Sequence, residues 1–454
     1  MQNSEQQTTI IAGCQIATVD SADTEYRSGH VVIRDNLIVA VGPGSPESDA
    51  HPGAQRIDGR GCLLTPGLVN THHHLYQWIT RGYATDDTLF GWLTTLYPIW
   101  AQINADLLHA SASANLGWLA LTGCTTSTDH HYVFPSGVGD LMEAEITAAQ
   151  QIGIRFHPTR GSMNLGESAG GLPPDSVVEE HEQILAASEA AIDRWHDPSF
   201  GSMLRIALAP CSPFSVTDDL MRDSAELARR KGVRLHTHLA ETADEEAFCL
   251  QKFGATPTQY AESLGWLGDD VWMAHSVHLS DEAIGRYAAT GTGAAHCPTS
   301  NGRLGAGIAP IRKLLDAGAP VGLGVDGAAS NESGRMFDEM HLALLAARFQ
   351  GGPLALTARE SLRMATAGGA RLLGSQNEYG SIEVGKLADL ALWRVEDLCG
   401  AGIEDPVTAL VFGMPTLHSS WVNGTPVVDE GHLVNADEVS LTEASAGAAA
   451  TIRP

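Results

Sequence analysis

Residues 66–77 read PGLVNTHHHLYQ, and within them the run Leu68–His74 ends in three consecutive histidines, His72, His73 and His74. In an extended chain alternate side chains leave the same face, so His72 and His74 point together and His73 points away. Seven more short apolar runs follow: Thr125–His131, Ile154–Arg160, Leu204–Pro210, Val233–Ala240, Val271–Val277, Gly293–Ser300 and Val321–Gly327. Helix-like segments such as Asp106–Thr122, Asp218–Lys231 and Asp281–Ala289 lie between most of them. Eight strands alternating with helices give an α/β fold, the (β/α)8 or TIM barrel. No Gly-rich dinucleotide fingerprint follows the first strand, which disfavours an open doubly wound sheet.

The two ends of the chain read differently. Thr9–Ala12, Gln15–Val19, His30–Arg34 and Leu37–Val41 are candidate strands with a turn at Asp35–Asn36. Leu390–Trp393, Ser420–Val422 and Pro426–Val428 repeat the pattern around the turn signal Asn423–Gly424. Together they predict a small β-sandwich domain built from both termini, residues 1–65 and 384–454, around a barrel of residues 66–383. The Ala- and Ser-rich stretch Leu441–Pro454 reads as a loosely docked tail.

Composition narrows the class. The 454 residues carry 27 Lys and Arg against 54 Asp and Glu, a formal charge of −27. Such a surface repels phosphate backbones and anionic lipid, which excludes nucleic acid and membrane as expected partners. The seven cysteines are scattered with no C-x-x-C pair, so neither a disulfide framework nor a cysteine zinc site is expected. Met1–Thr9 is polar and lacks a basic start and apolar region, and no apolar run approaches the roughly 20 residues of a bilayer span. A cytoplasmic protein is expected.

At the strand ends stand His72–His74, Asp129–His131, Arg160, Cys211, His238, His275, His296 and Asp326. In a barrel those ends face the site, and so many histidines at one face read as a metal site. A His-x-His alone is as readily a polar strand end; the weight comes from the pattern across strands one, five, six and eight. A divalent ion held by three neutral imidazoles and a carboxylate lowers the pKa of bound water toward neutrality. Glu241, three residues after His238, is placed to move protons, and His275 to stabilise a developing oxyanion.

The stretches Pro66–His74, His238–Glu241, Ala274–His275 and Val325–Gly327 resemble the mononuclear amidohydrolase superfamily, and within it the aminohydrolases of heterocyclic bases. The resemblance implies His72, His74, His238 and Asp326 as metal ligands and Glu241 and His275 as proton-transfer groups. It implies one divalent ion, since no lysine stands at strand four; Zn2+ suits the donors, and Fe2+ and Mn2+ are compatible. Asn70–Gln77, Asp129–Tyr132, Thr159–Leu165, Ala209–Thr217 and His236–Glu246 are most similar to 8-oxoguanine deaminases. That implies hydrolysis of a 2-amino heterocycle, 8-oxoguanine to urate plus ammonia, with isocytosine to uracil as a related reaction. Gln77 stands where related guanine deaminases hold the purine. Cys211 replaces their arginine after strand four, which disfavours plain guanine. Trp78, Trp92 and Tyr97 are candidates for stacking on a flat ring, and Arg160 for a substrate contact. The resemblance also allows a homodimer.

Two rivals remain. Triazine hydrolases of the superfamily share much of the scaffold and release chloride or an amine. A non-catalytic scaffold would have lost ligands that are all present here. The G-x-S-x-G match Gly166–Gly170 is followed by Gly171-Leu172-Pro173-Pro174, which cannot start the helix a nucleophile elbow needs. His130 and His131 suit either substrate contact or support of a ligand. His236, His278 and His296 read as structural, and Asp244, Glu245 and Glu246 as a solvated helix start favoured by the helix dipole.

Overall fold

The computed structural model describes residues 7–46 and 51–452. The reading of Met1–Thr9 therefore lies largely outside the described residues. Eight parallel strands close into a barrel: β1 (Leu68–Asn70), β2 (Cys124–His131), β3 (Arg155–Ser162), β4 (Ala207–Pro210), β5 (Leu235–Leu239), β6 (Val271–His275), β7 (Gly293–His296) and β8 (Val321–Leu323). The ring closes where Leu323 of β8 pairs with Asn70 of β1. Every residue of β2 and β3 is buried, as expected for strands packed on both faces.

The helices have legible ends. Asp218–Lys231 begins behind Thr217, whose hydroxyl accepts from Leu220 N–H at 3.4 Å. It has Asp218 and Asp219 in its first turn, Arg229, Arg230 and Lys231 in its last, and Gly232 at φ 71° beyond. Cap, dipole and left-handed stop agree.

Six runs are shorter than their sequence reading, and for three of them the reason is local. Pro298 occupies the first position of the helix Pro298–Arg303, so the seventh run stops at His296. The first and eighth runs each break and resume, as His73–His74 and Asp326–Gly327, which pair with each other in parallel. Asp326 sits at φ 60°. This two-stranded ribbon carries metal-ligand candidates above the barrel mouth.

Strands from both termini form one nine-stranded sheet, in which Cys62–Pro66 pairs with Leu390–Arg394. One face buries Ile11, Ile33, Leu64, Leu390 and Trp421. The Arg155 guanidinium of β3 joins barrel to sheet through two hydrogen bonds to the Asp389 carboxylate, at 2.9 and 3.1 Å. The expectation of a loose tail is corrected. Glu438–Thr451 is a helix capped by Asp437, and Leu441 packs over Gly117 of the helix Ala105–Leu121. Alanine-rich sequence favours that helix. No helix among the described residues is long and apolar enough to cross a membrane.

Candidate active site

The segment leaving β1, the ribbon and β5 bring His72, His74, His238 and Asp326 together at the barrel mouth. Asp326 Oδ1 lies 3.2 Å from both His72 Nε2 and His74 Nε2, and His74 Nε2 lies 3.2 Å from His238 Nε2. His73 turns away, its Nδ1–H donating to the Asp326 carbonyl at 2.6 Å.

Hydrogen bonds fix which nitrogens carry protons. A carbonyl only accepts, so His74 Nδ1 donates to His130 O (2.7 Å) and His238 Nδ1 donates to Cys211 O (2.7 Å). His236 Nδ1 donates to Trp272 O (2.8 Å), leaving its Nε2 to accept from His72 Nδ1 (2.8 Å). In their neutral forms all three ligand-candidate rings therefore present a bare Nε2. Burial pushes His72 and His238 well below the usual imidazole pKa, which keeps them neutral. Three lone pairs and a carboxylate oxygen facing one point, with no donor among them, fit a divalent cation. His130 adds a fourth imidazole whose donor atom lies within 4.8 Å of those of His72, His74 and His238.

His236 thus orients the ligand candidate His72. Its ring stacks on Trp272 at 4.4 Å, so His236→Phe preserves shape while freeing the His72 proton to move to Nε2. Metal affinity is expected to fall roughly 10- to 100-fold. Competition titration with a metal-binding dye reads this, and unchanged affinity would refute the role given to His236.

Glu241 and His275 flank the cluster. Glu241 Oε1 lies 3.7 Å from His275 Nε2, which lies 3.8 Å from Asp326 Oδ2. His275 Nδ1 is 2.9 Å from the Asn301 side-chain oxygen, to which it donates. Burial raises the Glu241 pKa against the pull of His275. For His275 burial acts downward, but the Glu241 and Asp326 carboxylates outweigh it and hold the ring above its ordinary value. Ala240, His275, Ser276 and Asp326 all have positive φ, between 50° and 70°. Such non-glycine strain gathers where strand ends are bent to aim side chains.

The cavity over these groups is lined by Gln77, Trp92, Tyr97, Tyr132, Cys211 and Phe214, among others, and among the described residues no Lys or Arg lines it. Gln77 lies against Gly327, where any side chain would collide with its carboxamide. Burial pushes the Cys211 thiol up to about 12, so it is neutral. The structure does not bring Trp78 and Arg160 to the cavity. Trp78 stacks with Arg81, 3.6 Å from its ring, beside the C-terminal helix. Arg160 pairs with Glu179 at 2.7 and 2.9 Å and lies over the Phe134 ring. Glu245, read from sequence as solvated, is instead buried and lines the cavity.

A (β/α)8 barrel with buried metal-binding His and Asp at its mouth, beside a carboxylate and an imidazole, defines the class of metal-dependent hydrolases. Residues 63–427 match the amidohydrolase family, and the chain belongs to that family, whose relatives include hydrolases acting on C–N bonds. It is 48% identical to an 8-oxoguanine deaminase of Pseudomonas aeruginosa, over 85% of this chain and 86% of that one. It is 35% identical to hydroxydechloroatrazine ethylaminohydrolase of Pseudomonas sp. strain ADP, over 97% and 95%. In structure it is similar to the zinc-complexed atrazine chlorohydrolase of Arthrobacter aurescens TC1, with a TM-score of 0.92 at 35% identity, over 97% and 100%.

Proposed function

We propose that the protein is a hydrolytic deaminase of a small neutral 2-amino heterocycle, with 8-oxoguanine, giving urate and ammonia, as the leading substrate and isocytosine, giving uracil, as a second. The observation that carries this reading is the cavity: Glu241 and His275 line it, aromatic rings flank it, and no lysine or arginine among the described residues lines it to hold a phosphate. Likeness to the Pseudomonas aeruginosa deaminase supports the substrate class.

One divalent ion held by His72, His74, His238 and Asp326, zinc by its donor set, supplies a Lewis acid that makes water nucleophilic near neutral pH. Glu241 takes the proton of the attacking water and delivers it to the ring nitrogen. It then takes the proton of the hydroxyl added at the carbon and passes it to the amine, which leaves as ammonia as the C–N bond breaks and the C=O bond forms. His275 donates from Nε2 to the oxygen added at that carbon. Gln77 holds the edge of the base, Trp92 and Tyr97 confine its faces, and Cys211 leaves no cation for the ring oxygen of guanine. We place the reaction in the cytoplasm, in keeping with seven cysteines that are all free. The formal charge of −27 favours a small base over nucleic acid or membrane as partner.

Ammonia release from 8-oxoguanine, isocytosine, guanine and cytosine by the zinc-loaded protein tests this. Rapid turnover of the first two, with little from guanine or cytosine, is expected. Chloride or ethylamine release from a triazine, with none of the bases deaminated, would replace this reading with that of the atrazine-related relatives.

A further inference from the structure

We infer that Glu245 is a positioning residue for Glu241, clamping the turn that joins metal-ligand candidate His238 to the proton-carrying carboxylate; the inference rests on the role proposed for Glu241. Glu245 is the third residue of the helix Ala243–Phe253, and its N–H donates to the hydroxyl of the capping residue Thr242 at 3.3 Å. In a capping box the acid at this position reaches back to the amide of the capping residue. Here it reaches further. Glu245 Oε1 accepts from Ala240 N–H at 2.8 Å, and Oε2 accepts from Glu241 N–H at 2.9 Å. Both oxygens are thus spent on the two consecutive amides leading into Glu241.

What they hold is a strained turn. Ala240 is at φ 54°, a left-handed conformation that is strained for a residue with a Cβ. The Ala240 carbonyl in turn accepts from Val277 and His278 N–H, each at 2.9 Å. One peptide is therefore fastened to Glu245 on its amide side and to the segment just after His275 on its carbonyl side. This ties the Glu241 turn to the strand end that carries its proton-transfer partner. Glu245 is 2% exposed, and burial raises its carboxyl to about 7 although both backbone bonds pull it down. A cap needed only for the helix would sit in water, as its exposed neighbour Asp244 does.

Glu245→Gln preserves volume but turns an NH2 toward one of the two amides, so one clamp bond is lost. With zinc-loaded protein and 8-oxoguanine, kcat is expected to fall roughly 10- to 100-fold, with KM within threefold and metal content unchanged. Glu245→Asp keeps charge and cap but is one methylene too short for both amides, and the same kcat-specific loss is expected. Adding Ala240→Gly to Glu245→Gln should recover part of the rate, because glycine holds the left-handed turn without the clamp. Asp244→Asn is the control and should match the parent. A folded, metal-loaded Glu245→Gln or Glu245→Asp protein with kcat within threefold of the parent overturns the inference. If Glu241→Gln is inactive while both Glu245 variants are normal, only this inference falls. If Glu241→Gln is active, the reading beneath it falls first.

Discussion

A Glu241→Gln protein should fold, keep its metal and release ammonia roughly 10³-fold more slowly than the parent. The amide matches the carboxylate in shape but cannot take a proton from water or return one to a leaving amine. Glu241 is not among the four ligand candidates, so metal content separates loss of chemistry from loss of the site. The buried position matters. Burial raises its pKa toward the working range, where an acid that both accepts and donates is most effective. Single-turnover ammonia release beside elemental analysis is the measurement. A metal-loaded variant turning over at the parental rate would remove Glu241 from the mechanism.

Asp326→Ala should be as severe by a different route. Asp326 is the one carboxylate among the four ligand candidates and lies 3.2 Å from two bare imidazole nitrogens. Without it the cluster offers a dication only neutral donors, and His275 loses one of the two carboxylates that face it. We expect metal occupancy well below stoichiometric after dialysis. Activity should be roughly three orders of magnitude lower, the scale of several kcal/mol of lost charge stabilisation. Stoichiometric metal with parental turnover in the dialysed variant would show that the ion does not need this carboxylate.

Much of the barrel was readable because its strands are short apolar runs ending in polar residues, and the His72-x-His74 spacing marks the mouth directly. Side-chain direction in the loops was less readable. Gln77 and Trp78 are adjacent on the 3-10 helix Leu75–Thr80, where neighbours point about 120° apart; Gln77 faces the cavity and Trp78 does not. That geometry was available from sequence had the segment been read as helical. Arg160 is neutralised by Glu179, nineteen residues on, a pairing that no local pattern reveals. Glu245 left a signal that went unread: Thr242-x-x-Glu245 is a capping-box spacing, which argues for a side chain turned back toward the backbone. The tautomer of His72 depends on the Trp272 carbonyl through His236, a relay only tertiary structure assembles.

The buried Arg155–Asp389 pair sets an order on biogenesis. All eight barrel strands have been synthesised once Leu323 is added, yet Arg155 lacks its counter-ion until Asp389 follows, roughly sixty residues and several seconds of synthesis later. Burying that guanidinium before its carboxylate partner is present would cost several kcal/mol. The end of the barrel that packs on the sheet is therefore expected to consolidate only after Asp389 has been translated.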